Sequence, residues 1–227
     1  ELIDVLDHDF EGHDDIRRMC LSAPKYGNDD DYADDIMKDI FTYYRDCVTG
    51  RPNTKGGFYR INMLPTTCHV YFGEVMNASP NGRLAHKPVS EGISPEKGAD
   101  IYGPTGVINS CAKMDQLSTG GTLLNQKFTP SVLAGDTGLD QFANLIRAYF
   151  NMDGHHIQFN VIGRKTLLAA QANPEEYKDL IVRVAGYSDH FRNLSKELQD
   201  EIINRTEQSF DDYSDADSEY SKGGCGC

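Results

Sequence analysis

Positive charge is scarce in this sequence. Its 227 residues carry 22 Lys and Arg against 35 Asp and Glu, a formal net charge of −13. That balance argues against a nucleic-acid partner, whose phosphates need a basic surface, and against anionic membrane. There is no run of about 18 apolar residues, the length a spanning helix needs. Nor does a basic segment followed by an apolar one occur near Glu1-Leu2-Ile3-Asp4-Val5-Leu6-Asp7, so no signal peptide is expected and the expected location is cytoplasmic. A starting Met is also missing, and the chain is expected to be a piece of something longer or a processed product.

Other absences concern sites. Gly120-Gly121-Thr122 lacks the Lys-Ser/Thr of a phosphate loop. Asp29-Asp30-Asp31 lacks the glycine and distal Glu of an EF-hand loop, so helix capping by Asp30 or Asp31 is the better account. Cys20, Cys47, Cys68 and Cys111 are scattered among core-like residues and are expected to be free thiols in a reducing compartment. The terminal Cys225-Gly226-Cys227 has no partner pair to make a metal or redox site. No metal is expected. Asn77-Ala78-Ser79, Asn193-Leu194-Ser195 and Asn204-Arg205-Thr206 match the glycosylation pattern but, without a secretory signal, read as chance matches.

What is present is an ordinary globular composition, 39% hydrophobic and 25% charged. Helices are expected over Asp14 to Leu21, Tyr32 to Val48, Ser110 to Leu117, Leu139 to Met152, Arg164 to Gln171 and Lys196 to Thr206. In the second, Ile36, Ile40, Tyr44 and Val48 form the apolar stripe, with Asp34, Asp35, Lys38 and Asp39 largely opposite. In the fourth, Gly138 is the boundary residue before the helix. Strands are expected over Phe58 to Met63, Cys68 to Met76, Leu123 to Phe128 and His156 to Ile162. Asn77 to Gly103 is a long connection, a length that is usually functional or packed along a larger body. The tail from Asp211 is acidic and polar and reads as disordered. Alternating helices and strands place the chain in the α/β class.

Two places carry chemistry in alternation or in paired hydroxyls. In His156 to Ile162, Ile157, Phe159 and Val161 lie on one face and His156, Gln158 and Asn160 on the other. That second face either meets solvent or lines a polar interior, since buried amides need partners. Thr66 and Thr67 are either plain β-formers or hydroxyls that meet a polar substrate.

The stretch Arg183-Val184-Ala185-Gly186-Tyr187-Ser188-Asp189 ends the apolar run Leu180-Ile181-Val182 in a glycine-centred turn. It resembles the signature of glycyl radical enzymes, and six upstream blocks agree with that family in order. They are Asn81-Gly82-Arg83, Ser90-Glu91-Gly92-Ile93-Ser94-Pro95, Gly103-Pro104-Thr105, the segment Gly120 to Phe128, the segment Asp153 to Asn160, and Asn173-Pro174-Glu175-Glu176-Tyr177. The resemblance covers about residue 1 to Phe210. Within the pyruvate formate-lyase-like superfamily, the segment Ile61 to Gly73 is most similar to the trans-4-hydroxy-L-proline dehydratases.

The resemblance implies the C-terminal part of a ten-stranded α/β barrel, with the Gly186 loop inserted into its interior and shielded from oxygen. It divides the chain into 1–57, a helical segment ending the lyase domain, 58–210, the glycyl radical domain, and 211–227, the tail. Gly186 would store the radical after an activating enzyme, which carries the S-adenosylmethionine and iron-sulfur cluster, removes one Cα hydrogen. Arg183, Val184, Ala185, Tyr187 and Ser188 would position the loop. Thr66 would touch substrate, with His156 and Gln158 as pocket-lining residues. The radical would pass to a cysteine, and the resulting thiyl would take a hydrogen from a small substrate, hydroxyproline, to give 1-pyrroline-5-carboxylate with loss of water. The cysteine loop itself, a Gly-Cys-Val-Glu-like motif, is not in this chain. Its N-terminal barrel portion would be a partner, and the full-length form a homodimer. The readings are therefore the C-terminal piece of a dehydratase or other glycyl radical lyase, a separate glycyl radical subunit that repairs or completes a split enzyme, or a non-catalytic acidic module.

Overall fold

The computed structural model describes residues 1–210; the acidic tail, with Cys225 and Cys227, lies outside the described residues. Three helices come first: α1 (Leu2–Asp7), α2 (Asp14–Ser22) and α3 (Asp31–Val48). The Asp30 carboxylate accepts from the Tyr32 N–H at 2.9 Å and caps α3, which selects Asp30 from the two expected candidates, Asp30 and Asp31. After a largely irregular stretch come α4 (Cys68–Val75), a long connection, and α5 (Gly103–Ala112). Then follow β1 (Leu124–Phe128), α6 (Gly135–Asn151), β2 (Ile157–Val161), α7 (Arg164–Ala172), β3 (Ile181–Arg183), β4 (Ser188–His190), α8 (Lys196–Asn204) and β5 (Glu207–Gln208).

β1 is the middle of a three-stranded sheet, parallel to β2 on one side and β5 on the other; β3 and β4 form a separate antiparallel hairpin. The class is α/β, as the sequence indicates. This chain supplies a three-stranded parallel sheet and a hairpin, not a closed barrel, among the described residues. The sheet separates two cores. On one face Leu124, Phe128, Ile157 and Phe159 pack with Val107, Phe142, Leu145 and Tyr149 of α5 and α6, the Phe142 and Phe159 rings edge to face at 4.5 Å. On the other, Leu167, Val182, Val184, Ala185, Phe191, Leu198 and Ile202 bring together α7, the hairpin and α8. The hairpin is therefore fastened into a core through its arms.

Several expectations are corrected. Residues 68–75 are a helix, not a strand. An apolar run of that length fits either period, and packing selects the helix by burying His69, Val70 and Gly73 on one side. Gly73 is needed there, because a methyl group at that position would run into the Lys87 carbonyl and Pro88 backbone. Phe58 to Met63 is not a strand either; it makes only isolated bridges, Pro52 with Phe58 and Met63 with Thr122. The helix expected from Ser110 begins and ends earlier, and Gly138 lies inside α6, which starts at Gly135.

The buried side of α3 also differs from the expected stripe. Ile36, Ile40 and Tyr44 are exposed, while Asp34 and Phe41 are buried and Met37 and Val48 pack beside Phe41. The cause is a fixed charge pair: Asp34 accepts from Ser110 Oγ and from Lys113 Nζ, each at 2.8 Å. A buried carboxylate requires such partners, and meeting them sets the rotation of the helix. Among the described residues no helix is long and apolar enough to cross a membrane.

Candidate active site at the Gly186 hairpin

Gly186 lies at the tip of the β3–β4 hairpin. Arg183 pairs with Ser188, and the Val184 N–H donates to the Tyr187 carbonyl at 2.8 Å, leaving Ala185-Gly186 as a two-residue loop. Gly186 has φ +83°. A turn with positive φ at its second central residue selects glycine, because an L side chain there crowds the backbone. Val184 and Ala185 are buried, Tyr187 is half-buried, and Gly186 itself is open to solvent in this chain. The side a Cβ would occupy has Leu123 Cδ1 3.4 Å away and nothing nearer. Among the described residues nothing encloses the glycine as expected, whereas Val184 and Ala185 before it are enclosed.

No backbone ladder joins the hairpin to the three-stranded sheet among the described residues. Polar side chains do it instead. On β2, Asn160 Oδ1 accepts from the Arg183 N–H and its Nδ2 donates to the Arg183 carbonyl, both at 2.8 Å, so one side chain imitates a neighbouring strand. Gln158 Oε1 accepts from the Gly186 N–H at 3.2 Å and from Arg183 Nη2 at 2.9 Å. Its Nε2 donates to the Val184 carbonyl at 3.3 Å and to Asn125 Oδ1. Asn125 on β1 is directly opposite Gln158 in the parallel register. The face bearing Gln158 and Asn160 is therefore a buried polar interior, one of the two readings the alternation allows.

Arg205 holds the loop from the α8 side. Its Nη2 donates to the Val184 carbonyl at 2.9 Å and its Nη1 to the Arg183 carbonyl at 3.3 Å. The guanidinium is buried and is fixed by Glu201 at 2.9 and 3.1 Å, with Glu91 at 3.9 Å. Burial alone would raise the Glu201 carboxyl; the charge of Arg205, the His69 ring and the charge of Lys97 outweigh it and hold the group well below its ordinary range. His69, Glu91 and Glu201 offer three ligand atoms within 4.8 Å of one another. Lys97 lies 3.6 Å from Glu201 and 3.9 Å from Glu91, so with Arg205 two cations already balance the two carboxylates. The group reads as a buried ion-pair network that anchors the loop.

The remaining candidate residues are placed as follows. Arg183 bonds Gln158 and, through Nη1, the Ser188 hydroxyl at 3.1 Å, rather than one of the chain's many acids. Burial and then the charge of Asp189 raise the Tyr187 phenol. Burial and then the charge of Arg183 lower the His156 imidazole, whose buried Nδ1 has no hydrogen-bond partner among the described residues. Thr66 is exposed, with φ +55°, just before α4. That conformation is rare for a β-branched residue and marks local strain. Among the described residues no hydrogen bond links Thr66 to the hairpin. Burial pushes the Cys111 thiol up to about 12, an inert position, and Cys68 starts α4 in an exposed place. Asn125, Glu201 and Arg205 are loop-holding residues the sequence did not single out, and Asn160 was legible only as part of the polar face of β2. The alternation of β2 pointed at Asn160; nothing local pointed at Arg205.

Two family models match the chain: "Glycine radical" over residues 89–192 and "Pyruvate formate lyase-like" over residues 1–73. A trans-4-hydroxy-L-proline dehydratase of Clostridioides difficile is 69% identical over 210 residues, 92% of this chain and 27% of that protein. The crystal structure of the hydroxyproline dehydratase from that organism, with trans-4-hydroxy-L-proline bound, superposes with a TM-score of 0.90 at 68% identity, over 92% of this chain and 27% of its own. The glycerol-bound B12-independent glycerol dehydratase from Clostridium butyricum gives 0.88 at 45% identity, again over 92% and 27%. The chain thus spans about a quarter of the length of these relatives.

Proposed function

The chain belongs to the glycyl radical enzyme family, and from that premise we propose that it is the radical-carrying part of a dehydratase acting on trans-4-hydroxy-L-proline. The observation that carries the reading is Gly186 at the tip of a loop that follows buried Val184 and Ala185 and whose backbone is gripped on both sides. The residues fit a glycyl radical: Cα carries no substituent to obstruct a planar centre, and the flanking peptide groups can delocalise the electron. When present, the radical supplies a stored one-electron oxidant for a cysteine outside this chain. Arg183, Val184, Ala185, Tyr187 and Ser188 shape the hairpin, while Gln158, Asn160 and Arg205 hold it at a fixed height above the sheet. Thr66 would contact the substrate, and His156, beside Arg183, would border the same space.

In this reading residues 1–57 end the lyase domain and 58–210 form the glycyl radical domain. The rest of the barrel would cover Gly186. The protein would work in the cytoplasm as a homodimer, with a radical-SAM activating enzyme as its partner and the overall reaction releasing water and 1-pyrroline-5-carboxylate. The test is electron paramagnetic resonance of the intact protein after anaerobic activation with S-adenosylmethionine and a reductant, followed by product assay. A doublet absent from Gly186→Ala and pyrroline formation from trans-4-hydroxy-L-proline are expected. A doublet that survives Gly186→Ala would overturn the assignment of the radical; a doublet with turnover of a different alcohol would overturn the substrate.

A further inference from the structure

Gln158 uses the whole hydrogen-bonding capacity of its side chain on the glycyl loop and its support. Its oxygen accepts from the Gly186 N–H and from Arg183; its nitrogen donates to the Val184 carbonyl and to Asn125. An amide has two donors and two acceptor sites, so none is left over. The network also fixes which way the amide faces. Turned over, its NH2 would confront the Gly186 N–H and a guanidinium, all donors, while its oxygen met two acceptor oxygens. Gln158 is buried, away from competing water.

We propose that Gln158 is a radical-tuning residue: its amide oxygen, placed on the Gly186 N–H, stabilises the electron distribution of the oxidised glycine and sets its lifetime. The proposal rests on the reading of Gly186 as the radical carrier. The physical reason is a matter of sign. Delocalisation through the two flanking peptides makes the Gly186 nitrogen more positive and the Gly186 carbonyl oxygen more negative. A negative dipole end beside the N–H favours that form, and Gln158, itself buried and held by its other hydrogen bonds, presents that end without reorganisation. Asn160 provides the contrast. It grips the same hairpin at Arg183 but makes no hydrogen bond to Gly186. A residue that only holds the hairpin should behave like Asn160; one that tunes the radical should not.

The experiment compares wild type, Gln158→Leu, Gln158→Asn, Gln158→Glu and Asn160→Leu in the intact, anaerobically activated protein. The readouts are the doublet splitting, the anaerobic half-life of the signal and the thermal midpoint. Losing the oxygen in Gln158→Leu should shorten the half-life roughly three- to tenfold, the factor that one buried hydrogen bond represents. The doublet splitting should widen, since more spin stays on Cα. Gln158→Asn, whose oxygen is drawn back by one methylene, should move in the same direction and carries the test if the Leu variant does not fold. Gln158→Glu keeps an acceptor on the Gly186 N–H, with more negative charge, and should not widen the splitting. Asn160→Leu should lower the midpoint without changing the splitting. A folded Gln158→Leu or Gln158→Asn with wild-type splitting and half-life overturns the proposal, as does a change shared equally by Asn160→Leu. A wild-type protein with no Gly186-dependent doublet would instead remove the reading beneath it, which is a distinguishable result.

Discussion

Arg205→Met is the perturbation whose cost can be worked out most fully. The side chain makes two kinds of contact, and they do not weigh equally. Losing its bonds to the loop costs little by itself. The Val184 carbonyl keeps Gln158, at 3.3 Å, as a donor, and the Arg183 carbonyl keeps Asn160, at 2.8 Å. Losing its charge costs much more, because Glu201 is buried beside it with Glu91 close by. Removing one partner of a buried pair destabilises by about 3–5 kcal/mol. Lys97 remains near both carboxylates, so the low end applies, about 3 kcal/mol. In a domain of this size each kcal/mol moves the thermal midpoint by about 2–4 °C, which gives a fall of roughly 6–12 °C. The total stability of about 5–15 kcal/mol leaves the variant folded. Circular dichroism melts at neutral pH measure this.

A second signature of the same change is its pH dependence. The Glu201 carboxyl is held below its ordinary value of 4.5, so its contribution is present above that pH and is lost as the medium becomes more acid. Arg205→Met should flatten that acid limb. Adding Glu201→Gln should recover part of the loss, because it removes a stranded charge. A midpoint within about 2 °C of wild type, or a double variant that is simply the sum of two losses, would refute the argument that paired burial of charge anchors the loop.

Gly186→Ala should cost about 1–2 kcal/mol in unfolding experiments, from positive φ alone, since its methyl would sit 3.4 Å from Leu123 without a clash. A much larger loss would mean that the tip is packed. Thr66→Val should leave the Gly186 doublet intact and lower kcat/KM by roughly ten- to a hundredfold, the effect of one hydrogen bond to a charged substrate group; equal loss of signal and turnover would deny Thr66 a substrate role. Burial pushes the Asp100 carboxyl up to about 6 from 3.8, despite hydrogen bonds from Thr206 and Gln208. A raised folded value means stability is full below the ordinary pKa and falls as pH rises through 6, by at most about 3 kcal/mol. Urea titrations at pH 4 to 7 should show that slope in wild type and not in Asp100→Asn; parallel profiles would contradict it.

The sequence by itself determined the local elements with strong periodicity or clear stops: α3 with its Asp30 cap, α6, α7, α8, β1 and β2. The stretch Arg183 to Asp189, where the radical is proposed to sit, was also legible in sequence, because its resemblance to the family signature is carried by contiguous residues. Tertiary structure decided the rest. An eight-residue apolar segment at 68–75 satisfies both periods, and only packing against α8 and the 87–88 backbone made it a helix. The rotation of α3 was set by Asp34 meeting Ser110 and Lys113, residues more than 70 positions away. The polar face of β2 became an interior because the hairpin brought carbonyls and N–H groups to it. Arg205 became a loop-holding residue only when α8 carried it under Val184. Local pattern records what a residue can do with its neighbours in sequence; burial, and the partners it demands of polar groups, is settled between segments far apart.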